Sequence, residues 1–186
     1  MEPMKPETSD PRVEHAASLI RNVPDFPKPG IQFKDITPLL GDSGAFEGVI
    51  DVLAESAPAG IDAVCGVESR GFLFGAPLAL RLGVGFVPIR KPGKLPGTVV
   101  EEHFDLEYGS SVLAMHIDGI QAGQRVLLVD DLLATGGTLC ASGKLIHRLG
   151  AEVAQVQVVI ELADLGGRAN LATCGLNEVL ALLQTP

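Results

Sequence analysis

The stretch VLLVDDLLATGGTL, Val126–Leu139, sets two adjacent carboxylates, Asp130 and Asp131, directly before a run of small residues and paired glycines. The run Ala134-Thr135-Gly136-Gly137-Thr138 suits an anion. Glycines let the backbone curl until successive N–H groups point at one spot. Thr135 and Thr138 add hydroxyls, and a following helix adds the positive end of its dipole. Such a cup holds a phosphate dianion without a lysine. The carboxylates need another partner: they only accept hydrogen bonds, so they suit sugar hydroxyls or a divalent cation.

Two further segments offer positive charge. GVESRGFLFG, Gly66–Gly75, places Ser69 and Arg70 where an apolar run gives way to a helical pattern, so a hydroxyl, a guanidinium and free helix N–H groups meet. IRKPGKLPG, Ile89–Gly97, gathers Arg90, Lys91 and Lys94 in a chain with 14 Lys and Arg in all. Taken singly, the first is an ordinary helix start and the second a solvated basic turn. Taken with the glycine run, they describe one ligand. A phosphate in the cup, vicinal hydroxyls at the aspartates and a diphosphate reaching the cations make 5-phosphoribosyl-1-diphosphate (PRPP).

The elements that must position these groups follow from pattern. Four apolar runs, IDAVCGV (61–67), VGFVPI (84–89), RVLLVD (125–130) and EVAQVQVVIEL (152–162), predict buried strands. Helical spacing predicts helices over 13–22, 44–56, 72–82 and 138–149, with Asp10-Pro11 as a start signal and Gly150 as a stop. Val- and Ile-rich strands alternating with helices give an α/β fold, a mostly parallel sheet covered on both faces. In such sheets ligands bind beyond the carboxyl ends of the strands, where all three segments fall. PDFPKPG (24–30) predicts an extended, turn-rich path, and residues 98–117 a small antiparallel flap or mobile loop.

Composition narrows the class. A chain of 186 residues, 46% hydrophobic, predicts one domain with a substantial core. A formal charge of −9 argues against nucleic acid as a partner, because that binding rests on neutralising phosphates. Any basic function is therefore local. Cys65, Cys140 and Cys174 are odd in number and lack CxxC spacing, which predicts buried thiols rather than a disulfide framework or a zinc site. His15, His103, His116 and His147 have no ligand spacing. No apolar run reads as a signal peptide or a membrane span, so a cytoplasmic protein without membrane contact is expected.

At this point VLLVDDLLATGGT resembles the PRPP signature of type I phosphoribosyltransferases. PDFPKPGIQFKDITPLL, GVESRGFLFGAPLA, IRKPGKLPG and LEYG (106–109) extend the resemblance over nearly the whole chain, to the adenine phosphoribosyltransferases. The resemblance implies a single phosphoribosyltransferase domain over 1–186, with residues 23–40 contributing to a small hood over the base. It implies that Ala134, Thr135, Gly136, Gly137 and Thr138 hold the 5′-phosphate, that Asp130 and Asp131 lie at the ribose hydroxyls, and that Ser69, Arg70, Lys91 and Lys94 meet pyrophosphate. Gln32, Phe33 and Lys34 would bind adenine from the hood, with Leu132 against the other face of the base. Glu107 would sit in a mobile catalytic loop. Mg²⁺ with PRPP, a homodimer, and a non-proline cis peptide at Glu68-Ser69 are further family expectations. Lys34 departs from a frequent arginine and Gln32 from a common apolar residue.

The reaction implied is adenine plus PRPP giving AMP and pyrophosphate, a purine-salvage pentosyl transfer through an oxocarbenium-like state at ribose C1. Asp130 and Asp131 would favour the positive charge that develops there, and Glu107 would handle the proton at the purine. Strand alternation predicts unequal roles for the two aspartates without saying which touches sugar. The rival readings are a transferase for another base, a PRPP-sensing regulator without catalysis, and a purely structural subunit. A regulator would need a basic nucleic-acid-binding segment, for which this acidic chain has no candidate.

Overall fold

The computed structural model describes residues 5–6, 9–105 and 110–185. In chain order the elements are β1 (Lys5–Pro6), α1 (Pro11–Ser18), β2 (Arg21–Pro24), β3 (Gln32–Asp35), α2 (Thr37–Gly41), α3 (Ser43–Glu55), β4 (Ala63–Val67), α4 (Gly71–Leu82) and β5 (Gly85–Ile89). Then come β6 (Val99–Asp105), β7 (Ser110–His116), β8 (Arg125–Leu133), α5 (Gly137–Arg148), β9 (Glu152–Leu162), α6 (Gly167–Thr173) and β10 (Val179–Thr185). The main sheet runs β1-β10-β9-β8-β4-β5, parallel throughout except for β1 on its edge.

This order fixes the helix layers. The crossover β4-α4-β5 steps one way along the sheet, and β8-α5-β9 steps the other way. Right-handed crossovers in opposite directions place α4 and α5 on opposite faces. Two core layers result. Val126 and Leu128 of β8 pack with Leu139, Leu145 and Ile146 of α5, whereas Leu127 and Val129 pack with Phe74 and Leu78 of α4. Between β4 and β8 the strand order reverses, and the crevice beyond their carboxyl ends is the place for a ligand.

Two small antiparallel ribbons stand apart from the sheet. β2 and β3 form a hairpin whose connection contains a cis Phe26-Pro27 bond. β6 and β7 form the flap expected over 98–117, tied to the body where Glu102 pairs with Lys144 and Arg148 of α5. Glu107, Tyr108 and the rest of LEYG lie outside the described residues.

Several expectations need correction. The first helix stops at Ser18 rather than residue 22, because Arg21–Pro24 is recruited by β3 into the hairpin. Its start is as expected: Asp10 caps it by accepting from the Arg12 amide at 2.8 Å. β8 runs on to Leu133, so Asp130 and Asp131 belong to the strand itself. Cys140 and Cys174 are joined as a disulfide, Cα atoms 5.8 Å apart, against the reading of free thiols. A separation of 34 residues hid that α5 and the end of α6 pack together. Cys65 is free and buried in β4, and burial pushes its thiol up to about 12.

Candidate active site

The crevice between β4 and β8 is a cavity of about 340 Å³ lined by Glu68, Ser69 and Arg70 on one side and by residues 130–139 on the other. Of the groups expected to bind a ligand, Ser69, Arg70, Asp130, Asp131, Leu132 and Ala134–Thr138 therefore share one space. The peptide bond Glu68-Ser69 is cis, as expected.

Not every helix of the fold begins with a side-chain cap. α1 and α3 are capped by the side chains of Asp10 and Asp42. α5 carries none, and its first-turn residues Gly137, Thr138 and Leu139 line the cavity with their N–H groups free of a side-chain cap, whereas at the start of α4 the Phe72 and Leu73 amides donate to the Ser69 and Arg70 carbonyls. Gly136 makes the turn into α5 with φ of +82°, in the left-handed region that favours glycine. A loop of this kind followed by an uncapped helix N-terminus on a cavity wall offers the donors and the dipole that an anion needs.

The aspartates sit just below it. Asp131 is 4% exposed, and its Oδ2 lies 2.9 Å from Arg70 Nε as an ion pair, without the alignment of a hydrogen bond. Asp130 Oδ1 accepts from the Asp131 amide at 2.8 Å. Burial raises both carboxyls above the ordinary range. The neighbouring Asp131 charge pushes Asp130 further, whereas Arg70 pulls Asp131 back. Alternation separates the pair less than expected, because the start of α4 meets both. A Cβ on Gly71 would fall 2.9 Å from Asp130 Oδ1 and 2.8 Å from the Val129 carbonyl oxygen.

Arg70 also reaches the hairpin, its guanidinium 5.2 Å from the centre of the Phe33 ring. Phe26 meets the edge of that ring at 5.0 Å between centroids. Gln32 is exposed; Lys34 is half-buried, donates to Asn22 Oδ1 at 2.6 Å, and is lowered by desolvation. Neither they nor Phe33 line the cavity itself.

The basic loop after β5 resolves into two kinds of cation. Arg90 is half-buried and engaged, donating to Glu68 Oε2 at 2.9 Å and to the Lys94 carbonyl at 3.1 Å. Glu68 also accepts from the Lys91 amide at 3.1 Å, so it joins the loop after β4 to the loop after β5. Lys91 and Lys94 are exposed, and no ion pair engages them among the described residues. Sequence reasoning missed Glu68, although its place beside Ser69-Arg70 was the available signal.

Among the described residues no helix is long and apolar enough to cross a membrane, and no group of three or more His, Cys, Asp or Glu could hold a metal by itself.

Comparison with known proteins agrees with this geometry. The family model of the phosphoribosyl transferase domain matches residues 45–170. The adenine phosphoribosyltransferase of Cutibacterium acnes is 53% identical over 92% of this chain and 97% of its own length. A crystal structure of adenine phosphoribosyltransferase from Thermoanaerobacter pseudethanolicus superposes with a TM-score of 0.89 at 49% identity, covering 93% of this chain and 99% of that one. The Saccharomyces cerevisiae enzyme, complexed with an imino-altritol bisphosphate and adenine, gives 0.84 at 39% identity over 92% and 98%. Sequence, sheet order and solved relatives converge, and the chain belongs to the adenine phosphoribosyltransferase family.

Proposed function

We propose that this chain transfers the 5-phosphoribosyl group of PRPP to adenine, giving AMP and pyrophosphate, as a purine-salvage pentosyltransferase. One observation carries the reading: paired carboxylates at the end of β8 share a cavity with the uncapped start of α5. A 5-phosphorylated ribose satisfies both, its phosphate at the loop and its vicinal hydroxyls at the carboxylates. The yeast relative bound to a bisphosphate and adenine supports the same ligand chemistry.

In this mechanism the N–H groups and hydroxyls of Ala134–Thr138 hold the 5′-phosphate. Asp130 and Asp131 accept from the ribose hydroxyls, while Ser69, Arg70, Lys91 and Lys94 take the diphosphate. The bond from C1 to the diphosphate oxygen breaks as a purine nitrogen bonds to C1 from the opposite face, so configuration inverts. Positive charge grows on the ribose during that exchange, and buried carboxylates favour that state over the ground state. Glu107 takes up the purine proton; Glu107→Gln retaining nearly full turnover would remove it from the mechanism.

Adenine stacks between Phe33 and Leu132. β3 pairs only with β2 among the described residues, which leaves its outer edge free to present backbone N–H and C=O groups over Gln32–Lys34. That edge complements the N6 donor and N1 acceptor of adenine, and a 6-oxopurine reverses both.

The donor set at the end of β8, two carboxylates of which the Asp131 Oδ2 is already ion-paired to Arg70 and makes no hydrogen bond, fits Mg²⁺ held mainly by diphosphate and water rather than an all-protein cage. When bound, the ion supplies charge neutralisation for the departing diphosphate. The reading includes one domain over 1–186 with residues 23–40 as the hood, a cytoplasmic setting and a homodimer. The exposed Leu73 and Leu80 on α4 give a second copy apolar surface.

The test is turnover of the purified protein with PRPP and Mg²⁺ against adenine, hypoxanthine, guanine, xanthine and orotate. AMP formation from adenine far ahead of every other base is expected. Comparable rates with a 6-oxopurine, or none with adenine, would sink the reading.

A further inference from the structure

The phosphate cup has a back as well as a front. Its N–H groups can face the cavity only if its carbonyl oxygens turn away, and those oxygens then need partners of their own. The partner is α6. Asn170 Nδ2 donates to the Thr135 carbonyl oxygen at 2.8 Å. One residue earlier in the loop, the Ala134 carbonyl oxygen lies against Gly167 so closely that a Cβ there would overlap it and come within 2.7 Å of Leu133 Cδ1. Gly136 meets the same helix: a Cβ on it would lie 2.9 Å from the Gly167 carbonyl oxygen. Glycine at 167 therefore serves close approach rather than an unusual backbone angle, since the left-handed residue is Gly166, with φ of +67°.

The platform is itself pinned. Arg168 donates to both oxygens of the buried Glu161 on β9 and to the Val179 carbonyl on β10. Leu171 is in the core beside α5, and Cys174 is bonded to Cys140 of α5. The topology dictates this neighbour, because β9-α6-β10 steps along the sheet in the same direction as β8-α5-β9, so right-handed crossovers bring α6 to the α5 face.

We infer that Asn170 and Gly167 are positioning residues for the phosphate cup: they set affinity for 5-phosphorylated ribosyl ligands without touching them, by fixing the Ala134 and Thr135 carbonyls outward. This rests on the proposed phosphate role of Ala134–Thr138. It does not depend on adenine as the base.

The experiment compares wild type with Asn170→Leu, which nearly keeps volume and removes the donor, and with Asn170→Ala. The position is half-buried, so both variants are expected to fold. Calorimetric titration with ribose 5-phosphate should show affinity lowered about tenfold, the scale of leaving one carbonyl unsatisfied. The KM for PRPP should rise with it, the KM for adenine should hold, and the AMP-induced increment in the thermal midpoint should shrink relative to each variant's own ligand-free midpoint. Ribose 5-phosphate affinity within about twofold of wild type in both variants overturns the inference, as does a parallel rise in the adenine KM or failure of both variants to fold. A wild type that binds ribose 5-phosphate in an Asn170-dependent way yet ignores adenine would leave the inference standing and remove the proposed function.

Discussion

Asp130 and Asp131 bring two carboxylates into the site proposed for a polyanionic ligand, and burial makes their charges costly to the empty protein. Both carboxyls are raised above their ordinary range, by desolvation first, with the neighbouring charge adding to Asp130. An acid raised on folding stabilises the fold in its neutral form. That contribution is complete below the ordinary value of 3.8 and is lost as pH rises through the elevated one. Asp130→Asn, neutral at every pH and still able to accept from the Asp131 amide, should therefore raise the thermal midpoint of the ligand-free protein at neutral pH. The gain should vanish as the scans approach pH 3.8. A midpoint below wild type at neutral pH would contradict this account. For turnover the sign reverses: Asp131→Asn should lower kcat by about 10²–10³, as for other single preorganised electrostatic groups. The residue types were legible in the sequence because an acid pair before ATGGT follows no packing rule. Their contacts were not. That Arg70 bridges Asp131 to Phe33 depends on the start of α4 meeting the hairpin, and no spacing in the chain encodes that.

At the scale of elements, the site depends on how closely α4 approaches β8. Gly71 is the contact, with no room for a Cβ between the helix and the Val129 carbonyl or Asp130. Gly71→Ala should push the helix outward, costing about 1–3 kcal/mol of stability as overpacking does, and displacing Arg70 from Asp131. Urea unfolding reads the first effect and kcat the second; a variant indistinguishable from wild type in both would show that the close approach is dispensable. A second prediction concerns α5 and α6. With Cys140 and Cys174 bonded and Cys65 free, thiol titration of the denatured chain should find one thiol before reduction and three after. Three at the outset would remove the bridge. Continuous apolar runs made β4, β5, β8 and β9 legible, and β9 was bounded at the observed residues 152–162. The ends of α3, α4 and α5 fall within a residue of their patterns. Shorter pieces were illegible for a physical reason. α2 and α6 are too brief to show a helical period, and β2 is a strand only because β3 pairs with it. α6 matters most among these, since it backs the phosphate cup from far along the chain.

For the whole molecule, net charge and ligand charge conflict, and the fold resolves the conflict locally. The chain carries −9, so its far field repels a polyanionic substrate. The sheet order gathers the ends of β4, β5 and β8 at one rim, and there Lys91 and Lys94 stand exposed while Arg90 is bound to Glu68. Arg90 therefore shapes the loop, and the two lysines supply its field. Removing both, Lys91→Ala with Lys94→Ala, should raise the KM for PRPP by about tenfold at low salt, at the lower end of what electrostatic steering contributes. The adenine KM should hold, because adenine is neutral. Ionic strength separates steering from direct contact. In wild type the PRPP KM should climb as salt shortens the screening length toward about 8 Å, and in the double variant that slope should flatten. Equal slopes in the two proteins would assign the lysines to short-range contact with the diphosphate and leave the attraction to Arg70 and the start of α5. A double variant with unchanged KM at every salt concentration would remove this loop from PRPP binding altogether.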